Sequence, residues 1–164
     1  MGVKAARARQ RSAGQPAPDR AQSRAMSDSL RVKSGFADLV GYDLLVWRED
    51  HAEVAIDIEA RHLNRSGFMH GGVLTTVIDA ACGYTGCYSP EDAPPRRAFT
   101  LSLNTQFIAA TRPGARLTAV ARKSGGGKGI FFATCEVHDD SGRLIAQGDA
   151  VFKYITPRAD PKDP

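Results

Sequence analysis

The order of apolar, polar and turn-forming residues predicts an α+β domain, one long helix against a mostly antiparallel sheet. Two observations carry this. Val73, Leu74, Val77, Ile78 and Ala81 recur at the spacing of a buried helical stripe. On either side of that stripe lie short segments of strand character, separated by turn residues. One helix and about six strands make a layered α+β architecture.

The elements follow in order. Residues 1–27 are rich in Ala, Arg, Gln, Ser and Pro, hold almost nothing to bury, and are expected to be a disordered basic tail. They are Arg-rich like a transit peptide but lack its amphipathic stripe, and Met26 offers an alternative start. The domain is expected over 28–156, with a disordered C-terminal tail over 157–164. Gly35–Val40 reads as a short helix closed by Gly41, and Tyr42–Trp47 as a strand. Residues 52–59 alternate, with Ala52, Val54, Ile56 and Ile58 on one face and Glu53, Asp57 and Glu59 on the other. Residues 61–69 read as a loop, and the helix runs from His70 to about Cys87. Pro90, Pro94 and Pro95 mark an exposed loop. Strands are expected over about 97–109, 115–123, 129–139 and 143–154. Their junctions are Arg112-Pro113-Gly114, Gly125-Gly126-Gly127 and Asp139-Asp140-Ser141-Gly142.

Composition narrows the function. Of 164 residues, 42% are hydrophobic and 24% charged, which fits one globular domain. No apolar run reaches the roughly 18 residues that span a bilayer, and no secretory signal is evident. A cytoplasmic location without membrane contact is therefore the expectation. The net charge of +4 does not mark a nucleic-acid binder. Residues 1–25 hold six basic residues and one acid, a net +5, which leaves the rest at −1. Cys82, Cys87 and Cys135 form no CxxC pair, and His51, His62, His70 and His138 have no ligand spacing, so no metal is expected. Gly125-Gly126-Gly127-Lys128-Gly129 is not a phosphate-binding loop, because position 122 is not Gly and no Ser or Thr follows Lys128.

The chemistry gathers on the helix. Asp79 shares a face with Gly72, Thr76, Gly83 and Gly86. An interior helical Gly costs about 1 kcal/mol relative to Ala, so Gly83 and Gly86 imply close approach by a ligand or another backbone. His70-Gly71-Gly72 puts bare backbone at the helix start, where free N–H groups and the dipole favour a negative oxygen. An oxyanion donor plus a carboxylate suits hydrolysis of an ester or thioester. Eight residues, about 12 Å of helix axis, separate Gly71 from Asp79. If both act on one carbonyl, they come from different subunits, and a dimer with two composite sites follows.

Asn64-Arg65-Ser66-Gly67-Phe68-Met69-His70-Gly71-Gly72, followed by Asp79 and Gly83, resembles the motif of hotdog-fold thioesterases. It is closest to the phenylacetate-degradation branch, over about residues 35–155. The resemblance implies a sheet wrapped around the long helix, and a homodimer that often doubles to a dimer of dimers. It implies an acyl-CoA substrate and no cofactor. It further implies that the Gly71 N–H polarises the thioester carbonyl and that Asp79 of the partner subunit acts as base or nucleophile. Asn64 would place water or substrate, and Thr100 stands where a strand hydroxyl, commonly Ser, lies near the acid.

Plainer roles stay open for each residue. Asp79 could pair with an Arg, Asn64 could serve a turn, and His70 could cap the helix. Thr100 belongs to an alternating strand with Ser102, Asn104 and Gln106 and could simply be solvated. Lys123 and Lys128 flank the glycine turn, where they could meet CoA phosphates or only keep a hairpin soluble. Two other functions compete with hydrolysis: a hotdog acyl-thioester dehydratase or hydratase using His70, and a non-catalytic acyl-CoA-binding module.

Overall fold

The structure is a computed structural model that describes residues 34–90 and 92–155. The tails expected over 1–27 and 157–164 lie outside these residues.

Helix α1 (Gly35–Val40) starts at Ser34, whose hydroxyl accepts from the Ala37 N–H, and stops at Gly41 in the left-handed region at φ 84°. Strands β1 (Tyr42–Arg48) and β2 (His51–Asp57) form a hairpin. A 3₁₀ turn, Ala60–His62, leads to the long helix α2 (Gly71–Cys87). Then come β3 (Ala98–Phe107), β4 (Arg116–Gly126), β5 (Ile130–Asp139) and β6 (Leu144–Tyr154). The six strands form one antiparallel sheet in the order β1-β2-β4-β5-β6-β3. The expected α+β architecture is present.

Alternation decides which face of the sheet meets the helix. Val54 and Ile56 of β2, Leu117, Ala119 and Ala121 of β4, and Phe131, Ala133, Cys135 and Val137 of β5 are buried with Leu74, Val77, Ile78, Ala81 and Cys82 of α2. Each large side chain buried there contributes roughly 1.5–3 kcal/mol. The helix lies close because Gly148 of β6 carries no Cβ: one added there would sit 2.8 Å from Ile78 Cγ2.

Two local expectations are corrected. Gly125 and Gly126 are not turn residues; they pair with Phe132 and Phe131, and the reversal falls after them. A register shift between Lys123 and Gly125 carries β4 onward, and the Gly127 N–H donates to Ile130 O at 2.8 Å to close the turn. The 61–69 segment is more ordered than a plain loop. His62 is buried, with Nδ1 accepting from the Glu59 N–H at 3.0 Å and Nε2 bonded to Val40 O at 2.7 Å.

Candidate active site

The site is assembled from α2, β3 and the loop between the 3₁₀ turn and α2. Asp79 lies mid-helix, where the Thr100 hydroxyl of β3 donates to its Oδ1 at 2.7 Å. The alternation read from the sequence placed Thr100 with Ser102, Asn104 and Gln106, and that is corrected. A bulge at Leu101 separates them: Thr100 pairs with buried Phe152, while Ser102 pairs with Val151 and Asn104 with exposed Asp149. Paired residues share a face, so the extra residue turns Thr100 toward the helix and leaves the later polar residues on the outer face. Among the described residues Asp79 forms no ion pair, so an Arg partner does not account for it.

The start of α2 is held from two sides. The His70 N–H donates to His62 O at 2.7 Å, and the Met69 N–H to Thr111 O at 3.0 Å. His70 is the N-cap, with Nδ1 accepting from the Gly72 N–H at 2.9 Å and its carbonyl accepting from Val73 N–H. Gly72 and Val73 are thereby occupied, and the Gly71 N–H has no acceptor among the described residues. The Phe107 ring lies against Gly71, and a Cβ there would stand 3.2 Å from it.

The remaining predicted residues divide. Asn64 Oδ1 accepts from the Ser66 and Phe68 N–H groups at 2.9 and 3.2 Å, so its carbonyl holds the loop; its Nδ2 makes no bond among the described residues. The Thr76 hydroxyl donates back to Gly72 O at 2.9 Å. Gly83 lies under the edge of Phe152, 3.3 Å from where its Cβ would be, and a Cβ on Gly86 would overlap the Phe131 ring. The two glycines are therefore accounted for by aromatic packing within the chain. Lys123 Nζ is paired with Asp50 at 3.0 Å, and Lys128 is exposed in the hairpin. Lys123 borders a cavity of about 390 Å³ beside Thr85 and Gly86. That is the C-terminal end of α2, so these lysines are not brought to Gly71 or Asp79 within the protomer.

Sequence reasoning missed Tyr42 and the aromatic residues. Burial raises the Tyr42 pKa; a hydrogen bond with Tyr84 partly offsets this, and the charge of Asp79 adds to it. Tyr84 is pushed up to about 12, mainly by burial. Cys82 is raised by its hydrogen bond with Cys135 and by burial, and Cys87 by burial, so neither is an activated thiol. Among the described residues no three His, Cys, Asp or Glu side chains group as metal ligands, and no helix is long and apolar enough to cross a membrane.

The family model described as Thioesterase superfamily matches residues 66–146, which include Gly71, Asp79 and Thr100. A Pseudomonas aeruginosa protein named as a candidate esterase, PA0474, is 34% identical over 99 residues, covering 60% of this chain and 72% of that protein. The chain belongs to the thioesterase superfamily. Mouse acyl-coenzyme A thioesterase 13 is 26% identical over 92 residues, covering 56% of this chain and 64% of the mouse protein. A mutant of the phenylacetic acid degradation protein PaaI from Thermus thermophilus superposes with a TM-score of 0.65 at 25% identity, covering 73% of this chain and 98% of that one. The hotdog fold and the likeness to the phenylacetate-degradation branch are thus both present. Acyl-thioester hydrolysis is the chemistry that membership of this thioesterase family supports.

Proposed function

We propose that the protein hydrolyses an acyl-CoA thioester to the free acid and CoA, at sites shared between two subunits. The observation that carries this reading is the state of Asp79. Among the described residues this half-buried carboxylate has a single hydroxyl donor and no cation, which leaves it under-satisfied for a structural acid. It keeps an oxygen for a proton or a carbonyl carbon.

In the proposed reaction the thioester oxygen accepts from the Gly71 N–H, which has no acceptor among the described residues. Asp79 of the partner subunit takes a proton from water as the water oxygen bonds to the carbonyl carbon. The C–S bond then breaks and CoA leaves as a thiolate, a leaving group good enough to need no separate acid. Direct attack by Asp79, giving an anhydride that water cleaves, uses the same groups. Thr100 holds the carboxylate in position on either route. His70 serves by capping rather than by proton transfer, because its Nδ1 lone pair is engaged by Gly72. This weakens the dehydratase alternative.

The sheet supports the shared site. β3 is an edge strand, and Phe99, Leu101, Phe107 and Ile108 on or beside it are each about half exposed. An open edge with that much apolar surface is suited to pairing with a second copy. Further doubling to a tetramer and a cytoplasmic location belong to the same proposal.

Release of free CoA thiol from a panel of aromatic and aliphatic acyl-CoAs tests the reading. Wild type is expected to turn over at least one of them, and Asp79→Asn to keep the fold and CoA affinity while losing most turnover. Unchanged turnover in the variant would remove Asp79 from the mechanism. Binding without release by wild type would make the protein a binding module.

A further inference from the structure

We propose that Phe152 sets the length of the acyl group, closing the pocket about one helical turn beyond Asp79 so that compact acyl groups are accepted and long chains refused. This rests on the thioester hydrolysis proposed above and deepens it.

The face of α2 that carries Asp79 continues toward the C-terminus through Gly83 and Gly86. With no side chains at those positions, the stripe would by itself be an open lane for an acyl chain. The lane is filled from the sheet. Phe152 is the cross-strand partner of Thr100, so its ring stands on the same face as the hydroxyl that holds Asp79. Its edge rests on Gly83, four residues or about 6 Å along the axis from Asp79. Behind it Phe131 is stacked at 4.9 Å and 8°, against Gly86, and Tyr154 continues the file with its centroid 4.9 Å from that of Phe131.

Arg96 closes the far end, 4.9 Å over the Tyr154 ring. Both Arg96 and Gly86 also border the 390 Å³ cavity at the C-terminal end of α2. Three rings and a guanidinium therefore stand between Asp79 and the cavity at that end of the helix. Phe131 is fully buried and Phe152 is 3% exposed, so neither ring can swing into solvent to admit a longer chain. From a carbonyl placed at Asp79 to the ring of Phe152 on Gly83 is about 6 Å along the helix axis, a span that matches a short aliphatic or single-ring group and not a long chain.

The test is kcat/KM for butanoyl-, hexanoyl-, octanoyl- and decanoyl-CoA with wild type, Phe152→Ala and Phe152→Leu. Dissociation constants for the same esters, measured in an Asp79→Asn background, accompany it. Wild type is expected to decline beyond hexanoyl. Phe152→Ala is expected to raise the octanoyl-to-butanoyl ratio about tenfold or more, the scale at which pocket size discriminates methylenes. Phe152→Leu keeps most of the apolar volume, guards against loss of the fold, and is expected to move the ratio in the same direction by less. Unchanged ratios in both kcat/KM and affinity, in whichever variant is folded, would overturn the gate and leave thioester hydrolysis standing. Failure of wild type to bind or cleave any acyl-CoA would overturn the function and the gate together.

Discussion

At the scale of single residues, the site depends on which polar atoms are left over after folding. His70 and the backbone occupy two of the first-turn donors of the long helix and leave the Gly71 N–H. Thr100 engages one oxygen of Asp79, and the other has no side-chain partner among the described residues. Nearby, the phenols of Tyr42 and Tyr84 bond each other in a half-buried setting that raises both. The consequence for stability has a definite sign. Tyr84 ionises near 10 when unfolded and at about 12 when folded, so its contribution is whole below pH 10 and is lost as pH rises to about 12. Tyr84→Phe is therefore expected to flatten the fall in stability between those values, as read by denaturant midpoints across alkaline pH. An undiminished slope would assign the loss to other groups. The places of Asp79 and Gly71 on the long helix and the capping role of His70 were legible because helical spacing and N-terminal chemistry are local. The facing of Thr100 was not, because one bulge at Leu101 reverses a strand's alternation and no residue type marks it.

At the scale of elements, the glycines of the long helix are explained by the sheet. A Cβ at Gly86 would overlap Phe131, whose ring is pinned between Phe152 and Tyr154. Overpacking of that kind costs about 1–3 kcal/mol, against a helix-propensity gain of about 1 kcal/mol from replacing Gly. Gly86→Ala is thus expected to lower stability by about 1 kcal/mol, and by no more than about 2, in chemical denaturation. Gly83→Ala, with its nearest contact at 3.3 Å, should cost less. Equal stability of Gly86→Ala and wild type would mean that the ring can move. The helix and strands were legible from periodicity, and the expected ends fall within a few residues of those observed. What sequence could not show was which rings cover Gly83 and Gly86, since Phe131 and Phe152 come from strands far along the chain. The extension of β4 through Gly126 was hidden for a related reason: three consecutive glycines read as a turn until the partner strand claims two of them.

At the scale of the whole molecule, the helix fixes about 12 Å between Gly71, the proposed oxyanion donor, and Asp79, the proposed base, and the edge strand beside Asp79 is open and apolar. Both point to a site completed by a second copy, and this is the central claim. It is tested most directly by mixing two variants that each lack one half of the site. Gly71→Pro removes the N–H at the first helical position, where proline is tolerated. His70 already has the extended conformation a following proline requires, at φ −69° and ψ 133°. The new Cβ would lie 3.2 Å from the ring of Phe107, which is exposed and has solvent to move into. Gly71→Pro and Asp79→Asn homodimers should each be inactive. Unfolded together in equal amounts and refolded, they should recover about a quarter of wild-type turnover: half the dimers are mixed, and each mixed dimer has one complete site of two. A mixture no more active than its two components, with mixed dimers shown to have formed, would contradict the shared site and return both groups to a single chain.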